Sequence, residues 1–167
     1  MDPTIKTGIW QQFGASIDML AEATGACPDE LWIAPLWNEP HRKQEYAQFW
    51  YRVYHTLLWL DLYLSASPAE DFAPPAPFKA DALPEKPYTK DQLLAYLEHC
   101  RTKCRSTVEA LTDERACQRC QYEWVDVSFF ELLLYTMRHV QEHGAQLHMF
   151  LGQQGIAVDD WIPIARS

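Results

Sequence analysis

Apolar residues at Ile9, Trp10, Phe13, Ile17, Leu20 and Ala21 recur three or four positions apart, the spacing of a helix that buries one face. This run predicts a first helix over residues 5–24, with Gly25 as its stop. A second run at Tyr46, Phe49, Trp50, Val53, Tyr54, Leu57, Leu58, Leu60, Leu62 and Leu64 predicts a helix over residues 41–65. It is apolar nearly all round, so neighbours should cover most of its circumference. Thr89 with Gln92 has the spacing of a capping box and opens a third helix reaching about Leu111. Ser128 with Glu131 repeats that signature before Phe129, Phe130, Leu132, Leu133 and Leu134. The fourth helix should therefore run to about Leu151 and stop near Gly152 or Gly155.

Between the second and third helices, the connection over residues 66–88 holds Pro68, Pro74, Pro75, Pro77, Pro84 and Pro87. Proline removes a backbone donor and fixes φ, so neither a helix nor a central strand is expected there. The twenty residues 68–87 span up to roughly 60 Å, enough to run the length of a bundle and leave the flanking helices parallel. With no period-2 strand, phosphate loop or internal repeat in view, the expectation is an all-α four-helix bundle, one domain over residues 1–167.

Composition narrows the partners. The chain carries 23 acidic against 14 basic residues, a net charge of −9 that repels phosphate backbones and anionic lipid surfaces. Nucleic-acid and membrane partners are thereby disfavoured, and a small-molecule substrate is the expected partner. Gln48, Arg52, His55 and Asp61 interrupt the most apolar stretch, which reads as a buried helix and not a membrane span. The start MDPTIKTGIWQQFG lacks an apolar run after a basic segment, so no secretory leader is expected. Five cysteines make an odd set in a chain large enough not to need disulfide staples, which predicts a reducing, cytoplasmic setting.

Two sets of side chains carry candidate chemistry. His139 and His143 stand four apart on the fourth helix, so their imidazoles project from one face about one turn apart. A metal would need a further ligand from a facing helix. His55, in the middle of the second helix among Tyr54, Leu57, Leu58 and Trp59, is the candidate. The same three residues also read as two surface histidines and one hydrogen-bonded core histidine. The other set is Cys100, Cys104, Cys117 and Cys120, spaced C-x3-C-x12-C-x2-C, which reads as a structural zinc site, a redox pair or ordinary free thiols.

FWYRVYHTLLWLDLYLS (Phe49 to Ser65), the Pro-rich connection continuing as PEKPYTKDQLLAYL, and SFFELLLYTMRHVQEHGAQLHMFLGQ (residues 128–153) together resemble the DinB-like family. The resemblance covers about residues 5–155, and its most specific parts are the helix-two histidine and the helix-four His-x-x-x-His. It implies four helices in an up-down-down-up path and a divalent metal, nickel or zinc, on His55, His139 and His143. Leu147 occupies the place of a further histidine found in some branches, and His148 is displaced about 100° from it. The resemblance also implies hydrolysis or transfer of a low-molecular-weight thiol, and a homodimer. Three imidazoles around one ion leave positions for water, as in catalytic sites. Asp61, Tyr135 and Glu142 are the candidates to orient an imidazole or move a proton. The competing expectations are a non-enzymatic helical interaction module and a cysteine-based zinc or redox protein.

Overall fold

A computed structural model describes residues 1–80, 83–158 and 161–167. Asp81 and Ala82 of the proline-rich connection lie outside the described residues. The chain is mostly helical, with four long helices: α1 (Pro3–Ala26), α2 (Phe49–Ser65), α3 (Lys90–Glu109) and, after a short α4 (Asp113–Cys117), α5 (Phe129–Gln153). A two-stranded antiparallel hairpin, β1 (Arg119–Tyr122) and β2 (Val125–Ser128), leads into α5 and pairs Arg119 with Ser128 and Tyr122 with Val125. Each of α1 and α2 packs on both α3 and α5. Among the described residues no helix is long and apolar enough to cross a membrane.

Local chemistry sets the helix ends. Both capping boxes form, with Thr89 and Ser128 accepting from the backbone of Gln92 and Glu131, which bond back in turn. Helix α1 runs past Gly25, and Cys27 ends it in extended backbone ahead of Pro28. Helix α2 starts at Phe49, eight residues later than the apolar run predicts. Its first amides are taken by other backbone, with Phe49 donating to Ala34 and Trp50 to Trp32, while residues 44–47 form a 3-10 turn. The hairpin is a departure from the all-α expectation. Its strands are four residues each, so the alternation of exposed Arg119 and Gln121 with buried Cys120 and Tyr122 is too short to announce itself.

The core is heavily aromatic. Trp50, Tyr54, Tyr96, Phe13, Phe49 and Phe129 are almost wholly buried. The proline-rich connection joins this core. Phe78 is buried and stacks on Tyr96 at 4.3 Å between ring centres, and the Tyr54 hydroxyl donates to the Lys79 carbonyl. Trp32 fixes the far end of the connection by donating from its indole to the Tyr88 carbonyl.

Two buried carboxylates tie helices together. Asp18 of α1 accepts from Arg101 of α3 at 2.7 Å and from the Arg166 amide at 2.7 Å. Asp61 of α2, only 2% exposed, accepts from Lys103 at 2.5 Å and from the Tyr96 hydroxyl at 2.9 Å. Lys103 also donates to the Asp61 carbonyl and to Ser65. Deleting one partner of a buried pair strands the other charge. Asp61→Ala should therefore cost about 3 kcal/mol in urea unfolding. A loss below about 0.5 kcal/mol, the level of an ordinary surface change, would show the pair to be idle.

Candidate metal centre

Helix α5 carries His139 and His143 one turn apart, and α2 packs its middle, with His55, against that turn. The three imidazoles meet. His139 Nε2 stands 3.0 Å from His143 Nε2 and 3.3 Å from His55 Nε2. Ring centres are 4.4 Å apart for His139 and His143, and 5.3 and 5.2 Å from His55 to each of them. Among the described residues this is the only group of three or more His, Cys, Asp or Glu side chains whose ligand atoms lie within 4.8 Å of one another.

The outward nitrogens set the tautomers. The Trp59 indole donates to His55 Nδ1 at 3.2 Å, so a neutral His55 carries its proton on Nε2. His143 Nδ1 lies 2.8 Å from Oε1 of the Gln146 side-chain amide, which only accepts, so that proton sits on Nδ1 and leaves Nε2 bare. His139 Nε2 faces both. If bare, it opposes a second lone pair on His143; if protonated, it opposes the His55 proton. In either case His139 Nδ1 is buried with no hydrogen-bond partner. No assignment of protons satisfies the cluster.

A divalent ion would replace the opposed lone pairs of His139 and His143 with two coordinate bonds, and would take His55 as a third ligand once its proton shifts from Nε2 to Nδ1, against the Trp59 indole. Nitrogens each about 2.0–2.1 Å from one ion are about 2.9 Å apart at a right angle and about 3.4 Å apart at the tetrahedral angle. The two Nε2 separations from His139, 3.0 and 3.3 Å, match that span. The donor set fits the group.

Burial also favours the uncharged imidazoles that a metal requires. It pulls His55 down to about 2, helped by His139 and Arg52, and His139 down to about 3, helped by His143 and Arg52. His143 is lowered by burial as well, against the opposing pull of Gln146.

The remaining sequence candidates separate. Asp61 faces α3 and its Lys103, Tyr96 and His99 partners, so it serves the helix frame and not the imidazoles. Tyr135 and Glu142 line a cavity of about 560 Å³ that His139 borders, together with Gln12, Ala15 and Ser16 of α1. Tyr135 also meets Tyr63 edge to face at 5.6 Å. His148 turns to α1, with its Nε2 2.9 Å from the Met19 carbonyl.

The four cysteines do not assemble into a metal-ligating group among the described residues. Cys100 and Cys104 are buried on α3 with their thiols held well above the ordinary range by desolvation. Cys117 is exposed at the end of α4, whereas Cys120 points inward from β1.

Sequence reasoning missed three participants. Trp59 and Gln146 lie four and three residues from the histidines they address, a helical spacing visible in the sequence. The C-terminal segment, whose Trp161 and Ile162 wall the cavity, gave no periodic signal. It docks on α1 through Ala165 donating to the Gln11 carbonyl. A Cβ on Gly14 would lie 2.5 Å from that of Ala165, so only glycine permits the contact.

The family model of the DinB superfamily matches residues 12–147. No curated protein matches the chain. Among solved structures, that of a DinB-like protein from Bacillus subtilis, YjoA, is similar in fold, with a TM-score of 0.65 at 15% identity, over 95% of this chain and 99% of that one.

The lowered imidazoles make a stability prediction. An unfolded histidine takes a proton near pH 6.5, and the folded His55 and His139 do so only near pH 2 to 3. Their contribution is complete above pH 6.5 and is lost as pH falls toward 3. In urea unfolding of metal-free protein, stability should drop by on the order of 1 kcal/mol per pH unit for each such histidine between pH 6 and 4. His55→Gln should shallow that slope, and an unchanged slope would contradict the burial argument.

Proposed function

The chain belongs to the DinB superfamily, and we propose on that footing that it is a metal-dependent enzyme whose His55, His139 and His143 hold one divalent cation. The observation that carries this reading is the convergence of three Nε2 atoms that no arrangement of protons reconciles. A divalent cation on three imidazoles keeps positions open, lowers the pKa of a bound water or thiol, and polarises a carbonyl, which suits hydrolysis or thiol transfer.

The chain's own residues prepare that chemistry. Gln146 holds the proton of His143 on Nδ1 and turns its bare Nε2 inward. The cavity between α1 and α5, closed on one side by Trp161 and Ile162, offers a small molecule a route to the His139 side of the cluster. Tyr135 and Glu142 on its wall supply a hydroxyl and a carboxylate for positioning or proton transfer.

The reading includes an up-down-down-up path for the four long helices. Pairs between α1 and α3 support it, since Lys6 bonds Glu109 near one end and Lys90 bonds Cys27 at the other, an antiparallel order. Leu57 with Cys100 and Ser65 with Lys103 give a parallel order for α2 and α3. Phe49 with Phe150 and Tyr63 with Tyr135 give an antiparallel order for α2 and α5.

Elemental analysis tests the reading. The purified protein should carry about one equivalent of divalent metal, largely lost in His139→Ala and in His143→Ala. Equal metal content in all three proteins would refute it. A second outcome follows from Trp59, whose indole proton stabilises the His55 tautomer that cannot ligate through Nε2. Trp59→Phe should tighten metal binding by about tenfold in competition with a chelator; weaker binding would mean that the indole supports the ligand and does not oppose it.

A further inference from the structure

Arg52 lies one turn before His55 on α2, and its charge reaches all three imidazoles, lowering the proton affinity of each. Its own partners are few. One terminal nitrogen donates to the Tyr46 carbonyl at 3.4 Å, the guanidinium lies over the Trp37 ring at 4.8 Å, and Nε is buried with no hydrogen-bond partner. Glu39 and Glu142 act on it through their charge but form no ion pair with it among the described residues. Burial pulls the guanidinium below its ordinary value, the mark of a cation short of solvent.

A half-buried cation without a close counter-charge is costly, and a divalent ion on neutral imidazoles would add two more positive charges beside it. The counter-charge has a place to sit. Arg52 and His55 share a recess of about 260 Å³ with Arg42, Tyr46, Tyr51, Trp59 and the carboxylate of Glu39. Two guanidiniums outnumber the one carboxylate, and with the phenol rings and the indole they form a pocket for an oxyanion attached to a small, flat apolar body.

We propose that this recess is the recognition site for the anionic group of the substrate, with Arg52 as the residue that pairs with it and Arg42 as a secondary contact. The site chemistry accepts a carboxylate or a phosphate. Its meaning as substrate recognition rests on the metal-dependent reading above, whereas anion binding rests on Arg52 itself.

Calorimetric titration of chelator-stripped protein at pH 7 separates the two. Benzoate should bind and benzamide, its neutral counterpart, should not. Arg52→Gln should weaken benzoate by at least about tenfold, Arg52→Lys by less, and Arg42→Gln by less again. Titration with inorganic phosphate distinguishes the two sources: tighter binding than benzoate assigns the site to a phosphoryl group, and weaker binding assigns it to a carboxylate. Equal binding of benzoate and benzamide, unchanged benzoate affinity in Arg52→Gln, or no binding of either anion by the wild type would overturn the proposal. Should Arg52→Gln not fold, benzoate affinity unchanged in Arg52→Lys would do the same. None of these readouts depends on metal, so loss of anion binding with metal content intact, or the reverse, shows which of the two ideas has failed.

Discussion

Three nitrogens pointing at one another inside a protein pose a problem that hydrogen bonds alone do not solve. Each neutral imidazole has one proton and one lone pair, and here the outer partners have already committed both ends of two of the rings. His139 is left facing a lone pair on one side and a proton on the other, with its remaining nitrogen buried and unpaired. Protonation offers little relief, because burial and the nearby Arg52 charge hold the rings neutral. A divalent cation suits nitrogens about 3 Å apart and relieves the opposed lone pairs of His139 and His143, while His55 joins by moving its proton away from Nε2.

That demand explains features of the frame far from the histidines. α2 and α5 must meet at their middles although more than sixty residues separate them, and the aromatic contacts Phe49 with Phe150 and Tyr63 with Tyr135 bracket the meeting point on both sides. The Asp61 and Asp18 pairs attach α3 to α2 and to α1, which braces α2 from behind. The connection over residues 66–88 is stitched into the core by Phe78, and the tail from Trp161 seats its Ala165 against the bare backbone at Gly14. Access to the centre is thereby divided, with His139 open to the cavity along α1 and His55 open to the arginine-lined recess.

Much of this is legible in the sequence where a short local rule governs the outcome. The capping boxes at Thr89 and Ser128 and the apolar periodicity of the long helices each depend on residues within a turn or two. The i, i+4 spacing places His139 and His143 on one face, and the helix-two histidine became a candidate because a buried imidazole needs a partner. The late start of α2 escapes such rules, since it depends on amides captured by Ala34 and Trp32 across a loop. Asp61 escapes them too, because spacing along α2 does not say which neighbouring helix will own the side chain; Lys103 and Tyr96 do. The hairpin is too brief for its alternation to register, and the cysteine spacing does not say that Cys117 falls on an exposed helix end while Cys120 takes an inward strand position.

X-ray absorption spectroscopy of the metal-loaded protein reads directly which atoms surround the metal. The spectrum should show a shell of nitrogen and oxygen at about 2.0–2.1 Å with the multiple-scattering signature of three imidazoles. A sulfur shell near about 2.3 Å, or a spectrum without imidazole scattering, would contradict it.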